Sequence, residues 1–436
     1  MSRTSKSSSL WSNLPLVGAI CLGSQLSFAQ SAAPTFGAGP ISHYQWSTGH
    51  WVNGESDRDQ TFADWRAMPT DSVTQSIPYG SDAWYETAGS ASEADVNAEI
   101  AQLPLNFAPK FDGIFKNGAW KDHVWGAYPA TLHRKKLIHL GWMDPIPKSV
   151  GNGNLANPKV WYDIKNGSAD KYLFLLGRKF AALDKDSGPT TYPMTFDFAY
   201  EWTLTSHPQF PSGSYLLGSE RHSTYKDFPY GWSRLVRVFR EGYKYQSGKP
   251  CPYKFSWRPQ LRHSVKDKDG NTVKSELMWP NNVADWNISS DVKLAGVTLL
   301  PKGPIGAQAK LLCLSWHDSS TEPVKGSSKT APKNNWQTIL DGDANYWGLQ
   351  KAADFALSKG VPLCMPEWSP KRDEGARFSP NPGDVIRLSH YFFKKNKSNL
   401  AYENVFDQGS GDLFKPWTPR QLPQQDPAEV YRELWK

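Results

Sequence analysis

The chain has 436 residues, of which 20 are tryptophan, and a formal net charge of +7 at pH 7. Its Lys and Arg residues are scattered and do not form the dense basic and aromatic stripe of a nucleic-acid-binding protein, so we expect no nucleic-acid partner. The mild positive charge is compatible with an acidic polymer as partner. Indole faces stack on sugar rings as well as in protein cores, so this tryptophan content favours a carbohydrate ligand beside an aromatic core.

The N-terminus has the pattern of a secretion signal. Arg3 and Lys6 precede an apolar stretch at 14–22, and Ser27-Phe-Ala29 fits a cleavage site with small residues. We predict that residues 1–29 are a signal peptide and that the mature protein is secreted or periplasmic. No later apolar run reaches the ~18 residues of a membrane span, so we expect no membrane insertion after cleavage. We expect residues 30–436 to form one domain, with 30–60 as an N-terminal extension, and the protein to be a monomer.

Three cysteines follow the predicted cleavage site: Cys251, Cys313 and Cys364. An odd count allows at most one disulfide and one free thiol, and the pairing stays open at this point. Cys313 and Cys364 lie in apolar runs typical of buried core residues. The absence of CxxC spacing argues against a zinc site, and we predict neither a metal nor an organic cofactor.

Strand-like and helix-like segments alternate along the chain. The predicted strands are 136–141, 195–200, 253–257, 311–316, 361–365 and 400–406, and the predicted helices are 169–183, 232–240, 347–357, 384–394 and 427–435. Such alternation indicates βα units, and we predict the α/β class and a single-domain (β/α)8 barrel. An open doubly wound sheet is the main alternative, but it usually carries a glycine-rich phosphate turn, and the sequence has none.

Two Glu-Trp dipeptides, Glu201-Trp202 and Glu367-Trp368, each follow a predicted strand. In a barrel, the carboxyl ends of the strands form the active site. Two carboxyl groups ~5–5.5 Å apart are what a retaining glycosidase needs as acid/base and nucleophile, and an apolar wall raises the pKa of the acid. A single glutamate at a strand end is usually a solvated loop residue. The repeated aromatic context is what favours a catalytic pair.

Several segments, taken in order, resemble secreted proteins of glycoside hydrolase family 26. They begin with Phe62-Ala-Asp-Trp-Arg-Ala-Met-Pro, Phe196-Asp-Phe-Ala-Tyr-Glu-Trp and Tyr253-Lys-Phe-Ser-Trp-Arg-Pro, and continue with Trp279-Pro-Asn-Asn-Val-Ala-Asp-Trp and Val361-Pro-Leu-Cys-Met-Pro-Glu-Trp. The resemblance implies a retaining (β/α)8 barrel from about residue 60 to the C-terminus. It places the acid/base at Glu201 after strand four, the nucleophile at Glu367 after strand seven, and a wall of the sugar site at Trp257.

The chain departs from the family pattern near the expected acid/base. Family members often carry Arg four residues before it, where this chain has Asp197, and mannan-cleaving members carry His directly before it, where this chain has Tyr200. Residues 197, 199 and 201 of a strand share one side, so we expect Asp197 beneath Glu201, where it needs its own proton or a cationic partner. The specificity for mannan therefore does not transfer with the resemblance.

The region of strand six also differs from the family. Residues 287–310 are expected to be an insertion, and the strand is expected to follow at 311–316. Trp316 or His317 would then stand where the family has a tyrosine near the nucleophile.

Further residues are candidates for substrate binding. They are Trp202, Trp279 and Trp368, whose motifs flank the expected cleft, and His207, in a loop after the acid/base. His207 is equally well explained as a loop residue without a role. Arg258 could contact an acidic sugar, although a surface salt bridge is the default expectation for it.

These observations predict a secreted retaining glycoside hydrolase. The expected substrate is a β-linked polysaccharide, either a bacterial exopolysaccharide or a mannan-like glycan. Two alternatives stay open. One is a catalytically silent barrel that binds polysaccharide during export or assembly, and the other is a transglycosylase with the same two glutamates.

Overall fold

The computed structural model describes residues 47–52, 72–77, 137–142, 160–186, 194–198, 202–203, 224–261, 265–317, 337–342, 347–369, 382–405 and 427–435, apart from positions 266, 268, 295 and 338. The chain separates into two compact units, Met1–Ala33 and Pro34–Lys436, and every described element belongs to the second. None of the helices within these ranges combines the length and the apolarity that a membrane crossing requires.

Eight parallel strands form the centre of the fold. They are β1 (Ser47–Val52), β2 (Ser72–Ile77), β3 (Leu137–Trp142), β4 (Met194–Phe198), β5 (Lys254–Trp257), β6 (Ala309–His317), β7 (Leu363–Ser369) and β8 (Leu400–Val405). Each pairs in parallel with its neighbours in the order β1-β8-β7-β6-β5-β4-β3-β2, and β2 pairs with β1, which closes the ring. The predicted α/β class is confirmed, and the closed order excludes an open doubly wound sheet.

The ring begins earlier than the sequence patterns indicated. β1 lies within residues 30–60, which we expected to be an extension, and it pairs with both β2 and β8. This part of the chain therefore supplies a barrel strand. The six strands predicted from apolar runs are all present, with ends that differ by a few residues.

Helices follow several of these strands. They are α1 (Val160–Lys165) and α2 (Asp170–Asp186) after β3, α3 (Thr224–Ser247) after β4, α4 (Leu349–Ser358) after β6, α5 (Pro382–Lys395) after β7 and α6 (Pro427–Leu434) after β8. All five predicted helices are present. α3 is much longer than the predicted 232–240, because buried side chains continue at helical spacing in both directions, with Phe228 on one side and Tyr243 on the other.

The connection between β5 and β6 is built differently. Its described residues contain no α-helix, and they form two 3-10 helices, Ser275–Met278 and Pro280–Val283, followed by two antiparallel ribbons. One ribbon pairs 287–288 with 303–304, and the other pairs 292–294 with 297–300. The expected insertion at 287–310 thus contains both ribbons and runs into the start of β6.

Two glycines allow α2 and α3 to pack at close range. A Cβ atom on Gly177 would collide with the carbonyl oxygen of Phe239, and one on Gly242 would collide with that of Phe174. The two helix backbones therefore touch where neither helix carries a side chain. Phe180 of α2 and Phe239 of α3 then both reach Phe196 on the outer face of β4.

We expect Gly177→Ala to destabilise the protein by about 1–3 kcal/mol, because the added methyl group must push the two helices apart. The measurement is the free energy of unfolding in urea. Lys244→Ala, at an exposed position of α3, is the control and should stay close to wild type. Equal stabilities for the two variants would show that the helices do not meet at these glycines.

Candidate active site

The carboxylate of Glu367 lies on the inner face of the ring. Glu367 is on β7, and its Oε2 atom accepts a hydrogen bond of 2.8 Å from Nη2 of Arg258, which directly follows β5. β5 and β7 are not neighbours, because β6 lies between them. The side chain of Arg258 must therefore pass β6 on one face of the sheet. Phe255 of β5 lies on the opposite, outer face, where it stacks on Phe196 and Phe198 of β4. The contact between Arg258 and Glu367 is thus on the inner face.

Arg258 joins three strands through three of its nitrogens. Besides the bond to Glu367, Nη1 donates to Oδ2 of Asp197 on β4 at 2.9 Å, and Nε donates to Oγ of Ser315 on β6 at 2.8 Å. Its side chain is 0% exposed. The expectation of a surface salt bridge is therefore wrong, because the residue after a barrel strand here points into the ring and not into solvent.

Asp197 has the cationic partner that its position required. It lies in the interior, as expected, and its ion pair with Arg258 is almost completely buried. Burial raises the pKa of Asp197 from 3.8 to about 6, Arg258 opposes this rise, and the negative charge of Glu367 adds to it. Its Oδ1 atom is buried and lacks a hydrogen-bond partner within the described ranges, so Oδ1 is the oxygen of this carboxyl group that can carry a proton.

The raised pKa of Asp197 predicts a pH-dependent stability. Between pH 3.8 and about 6 the folded state binds this proton more tightly than the unfolded state. The contribution of Asp197 to the free energy of unfolding is therefore fully present below its pKa in the unfolded state, and it is lost as the pH rises through its pKa in the folded state. Asp197→Asn cannot titrate, so its stability relative to wild type should improve as the pH rises from about 4 to about 7. Urea unfolding at intervals across this range measures the difference, and a constant difference would contradict the assignment.

A disulfide lies deeper in the ring than Glu367. Cys313 of β6 and Cys364 of β7 are register partners on neighbouring strands and are bonded to each other, whereas Cys251 is not part of a disulfide. The hydroxyl of Tyr402 on β8 is 3.5 Å from Sγ of Cys313. Burial raises the pKa of Tyr402 well above its ordinary value, with a further rise caused by the charge of Asp197 and an opposing effect of Arg258. Among the described residues, the disulfide and this tyrosine thus belong to the interior layer beneath Glu367.

Three tryptophans that were predicted to bind sugar lie in the core. Trp202, Trp257 and Trp279 are at most 1% exposed. The ring of Trp257 is 5.4 Å from that of Trp202, 5.3 Å from that of Trp279 and 5.7 Å from that of Trp347. The four indoles form one aromatic cluster, and Trp347 is its most exposed member at 8%. The stacking role predicted for these residues is therefore not supported.

Trp368 is also a core residue. It is 0% exposed and packs on Trp435, which directly follows α6, with ring centroids 5.7 Å apart. Its indole nitrogen donates to Oε2 of the buried Glu403 at 2.5 Å, and that of Trp435 donates to Oε1 at 2.8 Å. Trp316 is likewise only 1% exposed. The reason is alternation: because Glu367 points into the ring, the next residue must point out toward the helices.

The remaining predicted residues are covered only in part. Three of them, Tyr200, Glu201 and His207, lie outside the described residues. The nearest described positions are Phe198, where β4 ends, and Trp202. His317 is the last residue of β6 and pairs with Ser369 of β7. Among the described residues, no three His, Cys, Asp or Glu side chains are grouped so that they could hold a metal ion.

The residues that the sequence analysis missed are buried polar groups in strands that read as apolar runs. Ser315 and Tyr402 lie inside the ring, whereas Glu403 lies on the outer face, where it accepts hydrogen bonds from Trp368 and Trp435, and each of the three is 0% exposed. For Arg258 a signal was present, since a charged residue directly after a buried strand is a typical feature of barrel active sites.

The fold is a ring of parallel strands, and Glu367 lies on its inner face near the carboxyl end of a strand. Parallel barrels of this class carry their active sites at the carboxyl ends of the strands. No protein-family model matches the chain, and no curated protein sequence does.

The solved structures to which the chain is similar include family 26 glycoside hydrolases. One is a modular endo-beta-1,4-mannanase from Cellulomonas fimi, with 12% identity over 89% of this chain and 70% of that one and a TM-score of 0.47. Another is the catalytic domain of a GH26 endo-beta-1,4-mannanase from Bacillus sp. JAMB-750, with 13% identity, coverages of 91% and 86% and a TM-score of 0.45. A third is a GH26 beta-mannanase from Bacteroides ovatus, with 10% identity, coverages of 92% and 89% and a TM-score of 0.44. Likeness at this level carries no argument about the reaction.

Proposed function

We propose that this protein is a secreted (β/α)8 glycoside hydrolase that cleaves a β-linked polysaccharide with retention of configuration. Residues 1–29 would be its signal peptide and 30–436 its catalytic domain. The observation that carries the proposal is the position of Glu367, a carboxylate on the inner face near the end of the seventh strand that is held by a buried guanidinium. A nucleophile must be ionised and fixed in direction, and a neighbouring guanidinium favours both.

The second carboxyl group in the proposal is Glu201. Asp197 of β4 and Glu367 of β7 already share Arg258, so the inner faces of these two strands converge. A residue four positions after Asp197 follows the carboxyl end of β4. In the proposed reaction, Glu367 attacks the anomeric carbon, while Glu201 protonates the leaving oxygen and then activates water.

The substrate in the proposal is a bacterial exopolysaccharide or a mannan-like glycan, with mannan suggested by resemblance alone. The departures at Tyr200 and Asp197 are the reason that the substrate class is kept broad. Of the predicted contacts with the glycan, His207 and His317 remain proposals, since their side chains lie outside what the structure describes.

The test is a screen of the purified protein against β-mannans, β-glucans, xylans and acidic bacterial polysaccharides. New reducing ends are expected with one of these classes, and NMR of the first product should show the β-anomer. Binding without cleavage would replace the proposal by a polysaccharide-binding barrel, and products lengthened by chain transfer would replace it by a transglycosylase. Carboxyl groups of 201 and 367 more than ~9 Å apart would contradict the retaining mechanism.

A further inference from the structure

We propose that Arg258 is a positioning residue for Glu367, and that Asp197 and Ser315 hold its guanidinium in place. The inference rests on the proposed function, because it concerns the same carboxylate. The four side chains come from the ends of four neighbouring strands, β4 to β7, and their contacts converge on one planar group.

The geometry of the guanidinium is the first reason. Its N–H groups lie in one plane at fixed angles, so two bonds to fixed acceptors determine where the remaining donors point. Nε is held by Ser315 and Nη1 by Asp197, and Nη2 is thereby directed at Oε2 of Glu367. A lysine ammonium at this place has no such plane and would not fix the direction.

Burial is the second reason. The side chains of Arg258 and Asp197 are 0% and 1% exposed, and that of Glu367 is 5% exposed. Asp197 is therefore too deeply buried to contact a substrate, and its hydrogen bond to Arg258 is the direct route by which it can affect the position of Glu367. In so dry a site the hydrogen bonds and charges act more strongly than they would in water.

The charges of the cluster assign a further property to Asp197. Its carboxyl group faces Arg258, Glu367 and Tyr402, and its pKa is raised to about 6, first by burial. A protonated aspartic acid still accepts a hydrogen bond through its carbonyl oxygen. The geometry shows that position 197 supplies an acceptor oxygen to Nη1 of Arg258, and an asparagine at this position also offers one.

Four variants separate positioning from general stability. Arg258→Lys removes the directed donor, and Asp197→Leu removes the acceptor that holds it. Asp197→Asn keeps an acceptor without the charge. The control is Arg237→Lys, which alters an ion pair with Glu241 on the helix surface. We expect kcat to fall by about 100-fold in R258K and D197L with little change in KM, as a misplaced catalytic group would cause. D197N and R237K should keep kcat close to wild type.

The pH profile distinguishes this role from a merely structural one. In R258K the acid limb of kcat/KM should move to higher pH, because the lysine ammonium keeps the charge but no longer donates the directed hydrogen bond from Nη2 that favours the ionised form of Glu367. Variants with lowered melting temperature but an unmoved acid limb would overturn the proposal. So would equal kcat values for D197N and D197L.

A measurement without turnover keeps the inference separate from the proposed function. The infrared carboxylate band that is lost in Glu367→Gln belongs to Glu367, and its titration can be followed in wild type and in R258K. A band that titrates at higher pH in R258K supports the positioning role even if no glycan is cleaved, in which case only the proposed function fails. A band that does not move, in a protein whose wild type is active, rejects the positioning role alone.

Discussion

Replacing Glu367 with Gln should lower the rate of glycan cleavage by about 10⁴-fold or more, with the protein still folded. The amide keeps the shape of the side chain and can still accept a hydrogen bond from Arg258, but it has no charge with which to attack the anomeric carbon. The measurement is kcat for release of reducing ends on whichever polysaccharide the screen identifies.

The control for this variant is Glu429→Gln in α6. The side chain of Glu429 is 66% exposed and pairs with Arg432 on the helix surface, so we expect wild-type activity. If E367Q cleaved as fast as E429Q, Glu367 would not be the nucleophile, and the buried contact with Arg258 would need another explanation.

Removing the disulfide in Cys313→Ala/Cys364→Ala should lower the free energy of unfolding by about 4 kcal/mol. The bond closes a loop with a sequence separation of 51 residues, and a loop of this length strongly restricts the unfolded chain. The midpoint of guanidinium-induced unfolding measures the loss. Activity should be retained in buffer without denaturant, because the two substitutions leave the hydrogen bond between Arg258 and Glu367 in place.

Cys251→Ala is the matched control, since this cysteine is half-buried and not part of a disulfide. It should unfold at nearly the same denaturant concentration as wild type. Reduction of the wild type should move its midpoint toward that of the double variant. If reduction had no effect, the two thiols would not be bonded in the folded protein.

The elements that could be predicted from the sequence are those with strong apolar patterns. The runs at 195–200 and 361–365 and the helical spacing at 169–183 each returned the observed element within a few residues. β1 and β2 were missed, because Ser47-Thr-Gly-His-Trp-Val and Ser72-Val-Thr-Gln-Ser-Ile contain few apolar residues and no run. Their place in the sheet depends on pairing across the whole ring, which a local pattern does not contain.

For the dipeptide Glu367-Trp368, the sequence rule indicated the position of only one of the two residues. Glu367 lies inside the ring as the strand-end rule indicated, but Trp368 lies on the other face because neighbouring residues of a strand alternate. The same alternation separates Trp257 from Arg258 and Trp316 from Ser315. A site read from strand ends should therefore assign one residue of such a pair to the interior and the other to the core.

The contacts of Arg258 and the pairing of the cysteines depend on distant parts of the chain. Arg258 meets Asp197 and Glu367 at sequence separations of 61 and 109 residues. Cys313 meets Cys364 because β6 and β7 are neighbours in register. Neither contact follows from residue type or spacing, and both follow directly once the order of the strands is known.

The most direct test of the central claim is to trap the covalent intermediate. A 2-deoxy-2-fluoro glycoside of the sugar that the screen identifies should react once with the protein, and mass spectrometry of the digested protein should place the added sugar on Glu367. The claim that Glu367 is the nucleophile predicts this label in wild type and its absence in E367Q. A label on any other residue of the active protein, or an equal label in E367Q, would contradict it.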